Sequence, residues 1–249
     1  MPFRTIMMGA IVAVTSFLGG LQPCAAQGYQ VQPMIATMTP SGSGAATRIS
    51  VRNTGSVPVT LEFEPFRVSV DLQGTPTRSA EENDLLVFPP QTVVQPGAEQ
   101  AVQVRYVGDA SLTEARMYGV RISQVPINFG GGVSNSGASA DVRMSFNFLT
   151  HLIISPESAK SAVEVAEVGR SNTGEVTLTL LNSGNGVAVL NNVKWRITDA
   201  AGQAVELATE KVDVGNFSAL MPKQQRRVRI PPSETAQLAG PVQVALVAP

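Results

Sequence analysis

One alternating stretch constrains the fold of this chain more than any other feature. In the segment 141–156, large apolar side chains occupy every second position from 142 to 148, and polar side chains stand between them. In an extended backbone this spacing sends the apolar groups to one face and the polar groups to the other. The apolar residues are Val142, Met144, Phe146 and Phe148. The stretch therefore predicts a β-strand with one apolar face, which ends at Pro156 because proline cannot donate to a sheet.

The remaining chain predicts an all-β protein. Short alternating segments are separated by Gly, Pro and Asn at intervals of about ten residues, and no segment keeps a helical period. This pattern is typical of antiparallel β-sandwiches, and the length suits two domains of about 100 residues each. Other predicted strands cover residues 30–38, 46–52, 57–70, 100–107, 114–125, 162–168, 175–181, 187–190, 193–198, 205–207, 225–230 and 242–247. Residues 75–84 are polar, and we place no strand there.

The first 26 residues predict a secretory signal peptide. Arg4 is the only charged side chain before the apolar run 6–21, and small residues suitable for cleavage end at Ala26. The run is short and rich in glycine for a membrane span. The alternative, a lipoprotein signal at Cys24, lacks the small residues expected before a lipidated cysteine. We therefore expect export without stable membrane insertion.

Removing this segment leaves no cysteine, so the exported chain has no disulfide of its own and depends on its cores for stability. The mature chain carries 17 Lys and Arg against 19 Asp and Glu, a net charge of −2. This balance argues against nucleic acid or an anionic membrane surface as the main partner.

The residue types also argue against catalysis. His151 is the only histidine, which with no mature cysteine excludes the common zinc sites, and no serine lies in a nucleophile motif. Glycines 130–132 are not followed by a helix, so they do not form a phosphate-binding loop. We expect no enzyme activity, no cofactor and no metal.

The alternating strand has two interpretations. It can line the core of its own sandwich, as any strand of an antiparallel sheet does. It can also pair with a strand of another chain, in which case the backbone provides affinity and the alternate side chains provide specificity. Residues 129–140 are small and polar and predict a mobile loop before the strand. This loop, together with a long apolar edge that proteins normally avoid exposing, favours the second interpretation.

Several short segments, in this order, resemble the PapD-like periplasmic chaperones of the chaperone–usher pathway. They are Ile-Ser-Val-Arg-Asn at 49–53 with Pro58, Phe-Pro-Pro at 88–90 with Gln-Pro-Gly at 95–97, Arg-Met-Tyr at 116–118 with Gln-Val-Pro at 124–126, Leu-Ile-Ile-Ser-Pro at 152–156, and Asn182. The resemblance implies two immunoglobulin-like β-sandwich domains in an L or boomerang arrangement. Residues 27–154 would form the N-terminal pilin-binding domain and residues 155–249 the C-terminal domain.

The resemblance also implies a function in the periplasm. A chaperone of this family binds pilus subunits that lack a strand, lends them one of its own, and delivers them to an outer-membrane usher. The lent residues would be Val142, Met144, Phe146 and Phe148, and residues 30–38 would hold the other edge of the subunit. The alternative is a secreted structural or adhesive module of tandem sandwiches, such as a surface subunit. A subunit would be expected to lack a strand and to carry a free N-terminal extension.

In this family two basic residues at the domain cleft bind the C-terminal carboxylate of the subunit. Residues 30–38 contain no Lys or Arg, and the second position is His151, which makes this histidine a possible carboxylate anchor. Imidazole has a reference pKa of about 6.5 and is charged only when protonated. Two alternatives stay open: a histidine that is simply hydrogen-bonded at the domain junction, and a cleft arginine such as Arg48, Arg105 or Arg121.

Overall fold

The computed structural model describes residues 28–125 and 145–247. The predicted signal peptide, the predicted loop at 129–140, and the candidate residues Val142 and Met144 lie outside these ranges.

The described residues form eighteen strands and three short 3-10 helices, which confirms the all-β prediction. No helix in this part of the chain is long and apolar enough to cross a membrane. The strands are β1 Tyr29–Gln32, β2 Ile35–Met38, β3 Ala46–Asn53, β4 Val59–Val70, β5 Pro76–Ala80, β6 Leu85–Phe88, β7 Gln91–Val94, β8 Glu99–Tyr106, β9 Arg116–Val125, β10 Asn147–Ile154, β11 Val163–Arg170, β12 Val176–Asn182, β13 Ala188–Val189, β14 Lys194–Asp199, β15 Ala204–Ala208, β16 Ala219–Leu220, β17 Gln225–Ile230 and β18 Val242–Val247. The 3-10 helices are Ser43–Ala45, Thr209–Lys211 and Pro232–Glu234.

The first ten strands form a sandwich of two sheets. One sheet has the order β1-β3-β8-β6, and the other has the order β2-β10-β9-β4-β5 with β7 also paired to β4. Alternate residues of each strand point inward, so that Ile49 and Val102 of the first sheet share one core with Leu61 and Ile122 of the second. All four are fully buried. Apolar residues therefore recur at every second position of the sequence because these are the positions that point into this core.

The N-terminal segment changes sheets and thereby limits how much of β10 is covered. β1 pairs antiparallel with β3, whereas β2 pairs parallel with β10. The second pairing runs only from His151↔Ile35 to Ile154↔Met38. The first half of β10 is therefore paired with β9 alone among the described strands.

The strands from β11 onward form a second sandwich with its own core. Its sheets have the orders β11-β12-β17, β13-β16 and β15-β14-β18. Trp195 is fully buried, and its indole N–H donates to the hydroxyl of Thr209 at 3.1 Å. The buried Asn182 amide donates to the carbonyls of Gly186 and Leu220, which ties a loop and β16 to β12. Two sandwiches are therefore present, and the boundary between residues 154 and 155 stays a prediction.

Strands β5, β6, β7 and the two-residue β16 are missing from the predicted set. β5 is an edge strand that pairs only with β4, and its residues are partly or fully exposed. Without a buried face it has no apolar alternation for sequence analysis to detect. β6 and β7 are four residues each and flank Pro89 and Pro90, so neither is long enough to show a clear alternation.

The two sandwiches meet through an apolar cluster. Phe66, Val68 and Met117 come from the first sandwich, and Ala219 and Met221 come from the second. The backbone N–H of Arg227 also donates to the carbonyl of Leu72 at 2.7 Å. The face of the β4–β9–β10 sheet that points away from its own core is therefore partly covered by the second sandwich.

A buried arginine organises the loop that makes this contact. Arg226 is fully buried, and its guanidinium donates to the carbonyls of Val214 at 2.8 Å, Phe217 at 2.5 Å and Ala219 at 3.0 Å. Gly215 of the same loop lies so close to the first sandwich that a Cβ there would be 2.2 Å from the Gln73 carbonyl oxygen. The arginine therefore holds in place the loop that carries Phe217.

Gly119 of β9 allows Phe66 to lie over the sheet. A Cβ at this position would be 2.2 Å from the Thr150 carbonyl oxygen and 2.4 Å from the Phe66 ring. We expect Gly119→Ala to lower the free energy of unfolding by about 1–3 kcal/mol, the usual cost of overpacking. Urea unfolding followed by circular dichroism measures this. Gly28→Ala, where a Cβ meets nothing within 4 Å, is the control, and equal midpoints for the two variants would contradict the prediction.

Candidate functional site

The side chains on the core-facing side of β10 become steadily less buried toward the N-terminal end of the strand and the residue before it. Ile154, Leu152 and Thr150 are buried, Phe148 is half-buried, and Phe146 is 38% exposed. We call these five residues the emerging row. β10 itself is paired continuously with β9, from Asn147↔Ser123 to Ile154↔Arg116. By the same alternation Val142 and Met144 would extend the row, but they lie outside the described residues.

Along the first half of β10, the edge that faces away from β9 pairs with no described strand. The His151 N–H donates to the Met34 carbonyl at 2.8 Å, so the odd-numbered residues direct their backbone groups toward β2. By alternation, the N–H and C=O groups of Asn147 and Leu149 point to the same side. No strand of the described part of the chain pairs with them there. We call the backbone groups of these two residues, which no described strand contacts on this side, the open edge.

The two predicted donor residues within the described ranges differ in their contacts. The Phe148 ring packs edge-on against Tyr29, with the ring centroids 4.9 Å apart, and contacts the core of the first sandwich. The Phe146 side chain is among the exposed large apolar groups. The core interpretation thus applies to Phe148, whereas Phe146 is exposed and its pairing with another chain stays a prediction.

His151 lies on the opposite face of β10, at the junction of the two sandwiches. Its ring centroid is 6.1 Å from that of Phe66 in the first sandwich and 5.4 Å from that of Phe217 in the second. Its Nε2 atom is buried and has no hydrogen-bond partner among the described residues. Burial, and secondarily the positive charge of Arg78, lower the pKa of the imidazole. His151 is therefore neutral at pH 7 in the free protein.

Arg78 is a permanent cation beside this histidine. It lies on β5, and its guanidinium carbon is 6.0 Å from the Phe66 ring centroid. The side chain is partly buried, and its Nε atom has no hydrogen-bond partner in the described part of the chain. None of the ion pairs formed among the described residues includes it.

Two of the three arginines proposed from sequence lie away from the junction. Arg48 and Arg105 are exposed on β3 and β8, which belong to the other sheet. Arg121 lies on β9 opposite Leu149, on the face of the sheet that carries His151, and it pairs with Glu64 at 3.2 Å. Sequence analysis missed Arg78 because β5 has no recognisable strand pattern, and only the pairing of β5 with β4 brings it to the junction.

The position of His151 predicts how it titrates. As the only histidine, it can be followed alone by NMR, and we expect its pKa below the reference value of about 6.5. Since the unfolded chain then binds a proton at higher pH than the folded chain does, the free energy of unfolding should fall as the pH drops below about 6.5 and be unaffected by this group above it. His151→Gln should remove that component. A measured pKa at or above 6.5 would contradict the burial argument.

Comparisons with known proteins identify the family of this chain. The family model described as pili and flagellar-assembly chaperone, PapD N-terminal domain, matches residues 32–160, slightly more than half of the chain. No curated protein sequence matches the chain.

Solved structures match over most of the length at low sequence identity, so they support the fold. A chain in the CsuC–CsuE chaperone–tip adhesion subunit pre-assembly complex of Acinetobacter baumannii is 12% identical with a TM-score of 0.57, covering 88% of this chain and 97% of that chain. A chain in the complex of Salmonella enterica SafA pilin with the SafB chaperone is 16% identical with a TM-score of 0.54, covering 82% and 85%. The E. coli chaperone DraB is 15% identical with a TM-score of 0.53, covering 88% of each chain. With two sandwiches in this arrangement and a family model matching more than half of its length, the chain belongs to the PapD family of pili and flagellar-assembly chaperones.

Proposed function

We propose that this protein is a periplasmic chaperone that binds pilus subunits by donor-strand complementation and delivers them to an outer-membrane usher. The observation that carries the proposal is β10, whose backbone edge is open at Asn147 and Leu149 and whose emerging row leaves its own core at Phe146. The family membership supports it, as do structures of similar fold that are complexes of a chaperone with a pilin or a tip subunit. The predicted signal peptide at 1–26 supports export to the periplasm.

The binding mode follows from the two properties of β10. A subunit strand pairs with the open edge through backbone hydrogen bonds, and the alternate side chains enter the subunit's apolar groove. The proposed donor residues are Val142, Met144, Phe146 and Phe148. A fully buried apolar side chain contributes about 1.5–3 kcal/mol. Phe148 contributes less than Phe146 would, because its ring is already half-buried against Tyr29.

A charge at Phe146 tests the donor strand. Phe146→Glu would put a carboxylate into an apolar groove without a partner, so we expect it to abolish the complex. The measurement is co-expression with a secreted β-rich protein encoded beside this chain, followed by size-exclusion chromatography. The wild type should yield a soluble one-to-one complex.

Phe88→Glu is the matched control for this experiment. Phe88 is 67% exposed and lies at the end of β6, the edge strand of the other sheet. This variant should still bind the subunit, and both variants should keep the circular dichroism of the wild type. Recovery of the complex with Phe146→Glu in the same yield as with Phe88→Glu would refute donor-strand binding at this residue.

The junction at His151 is the proposed site for the C-terminal carboxylate of the subunit. A neutral imidazole provides no charge there, but Arg78 carries one at every physiological pH, and a guanidinium can bind a carboxylate through two parallel hydrogen bonds. We therefore propose Arg78 as the cation of this site. His151 would act as the anchor only in its protonated form.

The pH dependence of subunit binding separates these two roles. Hydrogen bonds to a charged group contribute about 1.5–3 kcal/mol, so Arg78→Met should weaken the complex about tenfold or more. The exposed Arg48→Met should change it little. If Arg78 is the anchor, affinity should be constant between about pH 6 and pH 8. If protonated His151 is the anchor, wild-type binding should weaken over that range while His151→Lys does not, and identical profiles for these two would refute the His151 role.

A further inference from the structure

Tyr29 connects the first strand of the chain to the exposed end of β10. It lies on β1, in the sheet that faces the β9–β10 sheet across the core. Its side chain crosses the core and is almost fully buried. Its hydroxyl reaches the carbonyl oxygens of Phe146 at 2.7 Å and of Ile122 at 3.0 Å. Both acceptors lie along the boundary between β9 and β10, where Ile122 pairs with Phe148.

The chemistry of the contact makes Tyr29 a permanent donor. Burial raises the pKa of the Tyr29 hydroxyl to about 12, so the group keeps its proton at any physiological pH. Carbonyl oxygens only accept, and therefore the single O–H proton is directed at one or the other of these two atoms. The ring of the same residue packs against the Phe148 ring at 4.9 Å. Tyr29 thus contacts both described members of the predicted donor set.

The end of β10 is held by β9 and by few other contacts: the Ser145 hydroxyl donates to the Gln124 carbonyl of β9 at 3.3 Å, and the Tyr29 hydroxyl donates to the Phe146 carbonyl. Its first half pairs with β9 on one side and with no described strand on the other. Strand ends that are paired on one side and largely exposed open with small free-energy cost. Phe146 immediately precedes the first residue of β10, so a hydrogen bond to its carbonyl acts at the point where the strand separates from the sandwich.

We propose that Tyr29 is a positioning residue that holds the open end of β10 on β9, so that the open edge and the Phe146 side chain are presented in one register for subunit binding. The inference rests on the proposed function, because it adds to the donor strand a residue from outside that strand. It predicts that the hydroxyl, and not only the ring, is needed for tight binding.

Tyr29→Phe tests this, since it removes the hydrogen bond and keeps the ring against Phe148. Tyr106→Phe is the matched control: Tyr106 is equally buried in the same core, but its hydroxyl interacts with the Asp109 carbonyl at 3.5 Å and with Tyr118, and not with a described residue of β10. The first measurement is hydrogen–deuterium exchange at the Phe148 amide, which by alternation points at β9. The second is the dissociation constant for the secreted β-rich protein encoded beside this chain.

For Tyr29→Phe we expect exchange at Phe148 to accelerate about three- to tenfold and the complex to weaken by a similar factor, the effect of one neutral hydrogen bond. Tyr106→Phe should change neither. Unchanged exchange in Tyr29→Phe would overturn the positioning role, and faster exchange with unchanged affinity would overturn its importance for binding. If the wild type binds no subunit, the proposed function fails, whereas the exchange measurement still decides whether Tyr29 holds the strand.

Discussion

The structure depends on β10, a strand that pairs with β9 along its whole length and with β2 along only half of it. β2 pairs with β10 only from His151 to Ile154. The backbone groups of Asn147 and Leu149 point to a side where no described strand lies. An open edge of this kind invites pairing with other chains, so proteins that keep one usually have a use for it. Here the open edge coincides with the part of the emerging row that has left the core, so backbone and side chains are available at the same place.

The alternation of a strand also explains how β10 serves two sites. Even-numbered residues such as Phe146 and Phe148 continue the row that forms the core of the first sandwich. Odd-numbered residues such as His151 point to the other face, where Phe66, Phe217 and Arg78 surround it. The proposed apolar donor site and the proposed carboxylate site thus lie on opposite faces of one sheet, and a change on one face need not disturb the other.

Much of this could be predicted from local sequence pattern. The all-β class, most strands and the apolar face of the alternating stretch follow from a period of two. The family membership confirms the resemblance. Because this family consists of chaperones without enzymatic activity, the membership also confirms that the chain is not an enzyme. Arg78 and Tyr29 could not be found in this way. Arg78 is on a polar edge strand without alternation, and Tyr29 reaches a carbonyl 117 residues away in the chain. Contacts of that kind depend on strand order, which residue periodicity does not specify.

The second sandwich fixes the far side of the proposed carboxylate site. Arg226 is a buried cation with no carboxylate among its described hydrogen-bond partners, and burial lowers its pKa. Three backbone carbonyls of one loop compensate part of the desolvation, since a guanidinium offers several donors in a fixed plane. That loop carries Phe217 to within 5.4 Å of the His151 ring. The environment that keeps His151 neutral, and so leaves the charge of the site to Arg78, is therefore built partly by a residue of the second sandwich.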